Sequence, residues 1–405
     1  MTFAFISGDS ETEIWGLSGR ERLKRMLSSF QQCRLINEPA QMPEHEPGLI
    51  LRGDHVFDAR VLSALMKAEQ DCLLVSDTGQ VIAMRTSDKG SYALAYLMDE
   101  GTGQSFSTLP RYTVEDLNLL NVRQNLKKRD QPYVFPIFEE NRGKLESELF
   151  ARSYKGVTDL VTKWLWPVPA YWAVRFCVGT GLRPNHVTLL SLLFAVLAGV
   201  AFWYGFYGFG LVMGWLMTFL DTVDGKLARV TVTSSRAGDV LDHGLDIVHP
   251  PLWYIAWAVG LPEAPAWMPD MPVLIVLILA GYIGGRLCEG AFQFWVASFD
   301  IFIWRPVDSF SRLITARRNP NLILLTLGWL AGRPDVGLIS VIVWHLISTV
   351  FLALRVAMGW LARRTNGPLR SWFEEILPGR DDGKLATRIF TPVMVKVNDR
   401  KVADG

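Results

Sequence analysis

The chain has 405 residues, a formal net charge of +1, and a composition that is half hydrophobic, with 15 Trp and 22 Phe. A near-neutral balance excludes a dedicated nucleic-acid binder, which needs a basic excess to displace counterions, and the apolar weight points to a bilayer. Cys33, Cys72, Cys177 and Cys288 are widely scattered, which excludes a disulfide framework or thiolate metal site and fits a reducing, cytoplasm-facing soluble part.

Two parts are expected from the length. Residues 1–14 lack the basic start and long apolar run of a cleaved secretory signal, so membrane insertion is expected from internal segments. Residues 1–145 alternate short apolar runs (49–51, 72–75) with helical-looking stretches (20–27, 60–67), which reads as a soluble α/β domain. The charged segment 123–144 reads as a connector. Residues 146–365 are expected to form an all-α membrane domain, and 366–405 a cytoplasmic tail. At its start Trp164, Trp166, Tyr171, Trp172 and Phe176 mingle with Lys155, Lys163 and Arg175, as in a helix lying at a membrane interface; an amphipathic helix covering the bundle is the alternative. Apolar stretches at 187–206, 208–228, 238–260, 272–296 and 337–361, with a shorter one at 321–332, give a six-helix bundle, or five spans and a re-entrant piece. The loops 204–208 and 261–271 carry no Lys or Arg, whereas Arg229 and Arg236 share one loop and Arg305, Arg312, Arg317 and Arg318 another. Both termini and the basic loops are therefore expected in the cytoplasm.

Chemistry concentrates between Asp221 and Asp246. Asp221 and Asp224 share one helix face, and Asp242 and Asp246 share another, because three- and four-residue steps bring side chains together. Each buried charge costs on the order of 2.5 to 3.5 kcal/mol in a membrane segment, so something must neutralise the four carboxylates. Lys226 and Arg229 as salt-bridge partners are one answer, though two cations do not match four anions. Magnesium ions, with manganese as a substitute, suit such oxygen ligands better, and two of them can support an in-line phosphoryl displacement. Gly225, Ala228 and Gly238 leave room for close helix packing or for a flat nucleotide.

Asp221, Asp224, Gly225, Ala228, Arg229, Gly238, Asp242 and Asp246 match at every fixed position the signature Asp-x2-Asp-Gly-x2-Ala-Arg-x8-Gly-x3-Asp-x3-Asp, and the chain on this ground resembles the CDP-alcohol phosphotransferases over residues 150–365. Pro184, Asn185 and Thr188 look like the Pro-Asn-x2-Thr that opens the first membrane helix in that family. The resemblance implies a dimeric six-helix enzyme of the inner membrane, taking a CDP-linked donor and an alcohol acceptor with release of CMP, in phospholipid synthesis. It assigns Asp221, Asp224, Asp242 and Asp246 to two metal ions and Asp246 to the proton of the acceptor hydroxyl. Pro184, Asn185, Thr188, Asp224, Gly225, Ala228, Arg229 and Gly238 would wall the CDP site. Arg305, Arg312 and Arg317 suit a phosphate on the acceptor, although positive-inside bias alone also puts arginines there. His243 and His249 lie close to the aspartates and read as packing groups or as groups that support the metal ligands, not as ligands themselves. A cation transporter is the remote alternative.

Residues 16–25 and 50–58 are similar to parts of MobA-like nucleotidyltransferases, with Asp54 in the place of a metal-binding Asp. The glycine-rich phosphate loop of that family is poorly matched by Ile6, Ser7, Gly8, Asp9 and Ser10. The similarity implies a degenerate docking or regulatory domain; the alternative is a bifunctional enzyme making and using its own CDP-alcohol.

Overall fold

The computed structural model describes residues 1–43, 46–87, 93–94, 108–117, 119, 122–233, 236–262, 265–376 and 382–391, without the side chains of 236–243, 245 and 246. Its N-terminal part is an α/β domain. Strands β1 (Thr2–Ser7), β2 (Cys33–Leu35), β3 (Gly48–Arg52), β5 (Cys72–Val75), β6 (Val81–Thr86) and β7 (Arg111–Tyr112) form one mixed sheet in the order β2-β1-β3-β6-β5-β7. β1 runs parallel to β2 and β3, and β6 is antiparallel to β3 and β5. Leu49–Leu51 of β3, all of β5 and Val81–Met84 of β6 are apolar and buried because both faces of the sheet are covered. Helices α1 (Gly19–Ser28) and α2 (Ala59–Lys67) lay Leu23, Leu27, Val61, Leu62 and Leu65 on Ala4, Ile6, Leu49 and Leu51.

The charged segment 123–144 is built into this domain. Its strand β8 (Val134–Pro136) pairs with β4 (His55–Phe57). The buried Asp130 draws Lys128 to 3.0 Å, Arg60 to 3.1 Å and Arg123 to 3.5 Å. Charge that read as a connector is thus matched internally.

Beyond it the chain is helical: α3 (Arg142–Arg152), α4 (Pro167–Gly179), α5 (Pro184–Trp203), α6 (Tyr207–Val230), α7 (Arg236–Val259), α8 (Met271–Ala291), α9 (Pro306–Ile314), α10 (Arg318–Leu330), α11 (Pro334–Asn366) and α12 (Leu385–Phe390). Every stretch expected to cross the membrane is a helix. Among the described residues, three are long and apolar enough to do so: Pro184–Trp203, Met271–Val296 and Pro334–Asn366. α6 carries Asp221 and Asp224, which dilute its apolar character, and α10, with 13 residues, is only about 20 Å long against a hydrocarbon core of about 30 Å. Leu189, Val196 and Val200 of α5 and Val343, Ile347 and Leu354 of α11 are exposed, as lipid-facing residues would be. Ala195, Ala198, Gly210 and Gly214 lie between α5, α6 and the buried rings of Phe202 and Trp253, where small residues let helices approach closely.

The C-terminal segment folds back in part: Trp372, Phe373 and Phe390 pack on Phe292, Phe302 and Trp304. The two halves share a core as well. Ile14 and Trp15 of the front domain meet Phe150 of α3, Val174 of α4, and Val223 and Leu227 of α6.

Candidate active site

α6 delivers the first half of the motif. Asp224 is buried, and its Oδ2 accepts a hydrogen bond of 2.7 Å from the hydroxyl of Thr188 on α5. Thr188 lies one turn into α5, whose start is fixed by Pro184 at the first helical position, where a missing N–H costs nothing. The sequence element Pro184, Asn185, Thr188 is therefore joined to the aspartate motif by a direct contact, with the Thr188 hydroxyl also near the Pro184 carbonyl at 3.1 Å.

Asp221, one turn earlier, accepts from the Arg318 guanidinium at 2.6 Å. Arg318 begins α10, so the helix too short to cross a bilayer sets a cation against the motif. Lys226 and Arg229 both donate to the Ser153 carbonyl, at 3.2 and 3.1 Å, and the Lys226 ammonium lies 3.5 Å from the centre of the Tyr154 ring. These two cations thus fasten the turn after α3 to α6.

Thr188, Ser191, Met217, Asp221, Asp224 and His249 line one recess. His249 also stacks edge-on against Trp253, ring centres 4.8 Å apart, so it packs as expected and borders the site too. At Gly225 a Cβ would have, among the described residues, only the Arg229 guanidinium nearby, at 3.7 Å and beyond. Ala228 and Asn185 lie on α6 and α5 with the rest.

Gly238, Asp242, His243 and Asp246 fall on α7, and their side chains lie outside the described residues. Among the described residues no three His, Cys, Asp or Glu side chains converge on one point. The donors that are described suit a divalent cation nonetheless: two carboxylates one turn apart facing one recess, with a hydroxyl beside them.

The arginines of the basic loop have separate surroundings. Arg317 pairs with Glu289 of α8, and Arg305 stacks on Trp304 with its guanidinium 5.8 Å from the ring centre. Arg312 sits over Phe302 at 5.4 Å, and its buried Nε and Nη1 have no hydrogen-bond partner among the described residues. Lys155, in the turn after α3, is nearby. Its side chain reaches water and yet is walled in by protein; the lost solvation, then the charges of Lys127, Arg229 and Arg312, lower its ammonium to about 8.

Residues 182–302 match the family model described as CDP-alcohol phosphatidyltransferase. The chain carries a CDP-alcohol phosphatidyltransferase domain. It is 30% identical over 171 residues to "Cholinephosphotransferase 1" of Xenopus laevis, covering 37% of this chain and 40% of that protein. It is also 30% identical over 161 residues to "Bifunctional IPC transferase and DIPP synthase" of Rubrobacter xylanophilus, covering 40% of this chain and 34% of that one. The chain thus aligns with well under half the length of these relatives. The matched segment runs from just before α5 to the turn before α9, so it takes in Thr188 and the whole aspartate motif, while Lys155, Arg312 and Arg318 lie outside it.

Residue order carries the motif and cannot carry its partners. Arg318 stands next to Arg317 in sequence, and only the packing of α10 against α6 decides which of the two meets Asp221. Lys155 had no signal beyond its place in an aromatic, basic stretch.

Proposed function

We propose that the chain is an integral-membrane CDP-alcohol phosphotransferase that moves a phosphate-linked group from a CDP-linked donor to an alcohol, in phospholipid synthesis. The observation that carries the reading is the hydrogen bond between Thr188 and Asp224, which unites two separate sequence elements at one recess with Asp221. Asp221, Asp224, Asp242 and Asp246 would hold two magnesium ions, with manganese as a substitute, and these supply charge stabilisation to the diphosphate. Gly225, Ala228, Arg229, Gly238, Pro184 and Asn185 border the CMP part of the donor. The acceptor oxygen bonds to the β-phosphorus, the bond from that phosphorus to the bridging oxygen breaks, and CMP leaves with the bridging oxygen. Asp246 receives the proton of the acceptor hydroxyl. Positioning and charge stabilisation then account for most of the catalysis.

The site opens to the cytoplasm in this reading, since Arg229, Arg305, Arg312, Arg317 and Arg318 lie on its side of the bundle, and five helices cross the membrane in a homodimer with α10 as a re-entrant piece. Lys155 and Arg312 are the cations best placed for a phosphate on the acceptor, because Arg317 is matched by Glu289. A second reading, a bifunctional chain, is favoured by the double name of the Rubrobacter xylanophilus relative.

The test is CMP release by the purified full chain in detergent with magnesium, over a panel of CDP-linked donors with neutral and phosphorylated alcohols. Asp221→Asn and Asp246→Asn should each lower release at least about 100-fold. Wild-type protein that is folded and silent on the whole panel would overturn the reading.

A further inference from the structure

The front domain grips the end of the motif helix. The loop 8–18 between β1 and α1 does not lie open. Its Ile14 and Trp15 are buried, with Trp15 at φ 54°, a left-handed conformation that a tryptophan adopts only under the hold of its surroundings. The Trp15 indole N–H donates to the Glu146 carbonyl at 3.0 Å, and its ring packs against Phe150 and Tyr171. The loop is therefore wedged into α3 and α4, and α1 leaves it aimed at α6.

Two arginines of α1 then reach the last residues of α6. Arg22, 5% exposed, donates to the Val230 carbonyl, and Arg25 donates to the Thr231 carbonyl at 2.9 Å while Glu21 holds it at 3.1 Å. Burial lowers the Arg22 guanidinium only to about 10, so it is charged at neutral pH. The last carbonyls of a helix lack intrahelical partners and carry its negative dipole end, where cations are stabilising. Val230 lies six residues after Asp224, about 9 Å along the axis.

The face that a nucleotide would need is closed by the same region. The Asp9 carboxylate accepts from the Arg20 N–H at 2.9 Å and the Ser18 hydroxyl at 2.8 Å, so it occupies the N-terminus of α1, where a phosphate would sit. Asp54 is clamped by Arg52 at 2.6 Å and His55 at 2.6 Å.

We propose that α1 is a C-terminal clamp on the motif helix, with Arg22 and Arg25 as positioning residues that fix the depth and rotation at which α6 presents Asp221 and Asp224. Amide hydrogen exchange across 226–231 reads this directly in the full-length protein in detergent, for wild type, Arg25→Gln, Arg25→Lys and the double variant Arg22→Gln/Arg25→Gln. The double variant should exchange at least about 10-fold faster there, while β1 and β3 stay as slow as in wild type, and Arg25→Lys should recover most of the protection that Arg25→Gln loses. The magnesium concentration for half-maximal CMP release should rise several-fold with little change in the saturated rate. That second readout rests on the function proposed above, whereas the exchange does not. Unchanged exchange over 226–231 in a folded double variant overturns the clamp. If the double variant does not fold, Arg25→Gln alone decides: wild-type exchange there, with wild-type magnesium dependence, overturns it equally.

Discussion

Thr188 and Lys155 show how single side chains tune a site of this kind. The Thr188 hydroxyl is the described donor to the buried Asp224 carboxylate at 2.7 Å. A hydrogen bond to a charged group contributes about 1.5 to 3 kcal/mol, so Thr188→Val, of nearly the same shape, should lower kcat/KM about 10-fold or more, measured as CMP release at limiting donor. Serine at this position should restore most of it. Lys155 titrates within the range of ordinary assays. With its ammonium near 8, it is charged below that pH and neutral above it, so a phosphate bound beside it pulls the ammonium pKa upward and binding takes up a proton above about pH 8. For a phosphorylated acceptor, KM should therefore rise between pH 7 and 9, and Lys155→Gln should flatten that rise. A KM for the wild type that is level across this range would remove Lys155 from the acceptor site.

α6 belongs to two systems at once, the bundle and the front domain. Its apolar face puts Val223, Leu227 and Val230 into the cluster shared with Ile14, Trp15 and Phe150, while the next face carries the aspartates. Leu227 is 1% exposed. Leu227→Ala should destabilise by about 2 to 5 kcal/mol, visible as a lower thermal midpoint of the detergent-solubilised protein, and it should loosen the front domain from the bundle in the same step, read as new protease sensitivity in residues 8–18. Much of this element was legible in the sequence: the aspartates, Gly225 and Arg229 fall in one pattern, and the helix bounds differ from the expected 208–228 by one or two residues. Of its partners Thr188 stood out in the sequence, whereas Arg318 and the contacts with the front domain did not. Each of the six stretches expected at 187–361 holds a helix, yet among the described residues three meet the length and apolarity of a span; α6 bears carboxylates and α10 is short. The charged segment 123–144 looked like a connector because periodicity does not reveal that Asp130 is matched by Lys128, Arg60 and Arg123 from both sides of the chain.

At the scale of the whole molecule, the question is whether the two halves make two enzymes or one. A nucleotidyltransferase needs an open phosphate cradle and a carboxylate free to take a metal. Here the geometry around α1 is tight: a Cβ on Gly19 would lie 2.0 Å from the Gly53 carbonyl, and one on Gly53 would lie 2.4 Å from that of Gly8. That crossing draws the loop after β1 over the end of β3, and Asp9 then fills the helix N-terminus from within the loop. Burial alone would push the Asp54 carboxyl up, but hydrogen bonds and charge from His55 and Arg52 hold it well below the usual range. Releasing it to a metal would mean breaking both contacts. The full chain, offered CTP and a panel of alcohol phosphates with magnesium, should therefore release pyrophosphate no faster than protein denatured beforehand, while it releases CMP from a CDP-linked donor. Clearing the N-terminus of α1 by Asp9→Ala and releasing Asp54 by Arg52→Ala/His55→Ala should not create that activity, because Trp15 keeps the loop wedged against α3 and α4. Pyrophosphate release that depends on CTP and is lost in Asp54→Asn would establish the bifunctional reading instead, and would require the loop 8–18 to leave α3 and α4 during each turnover.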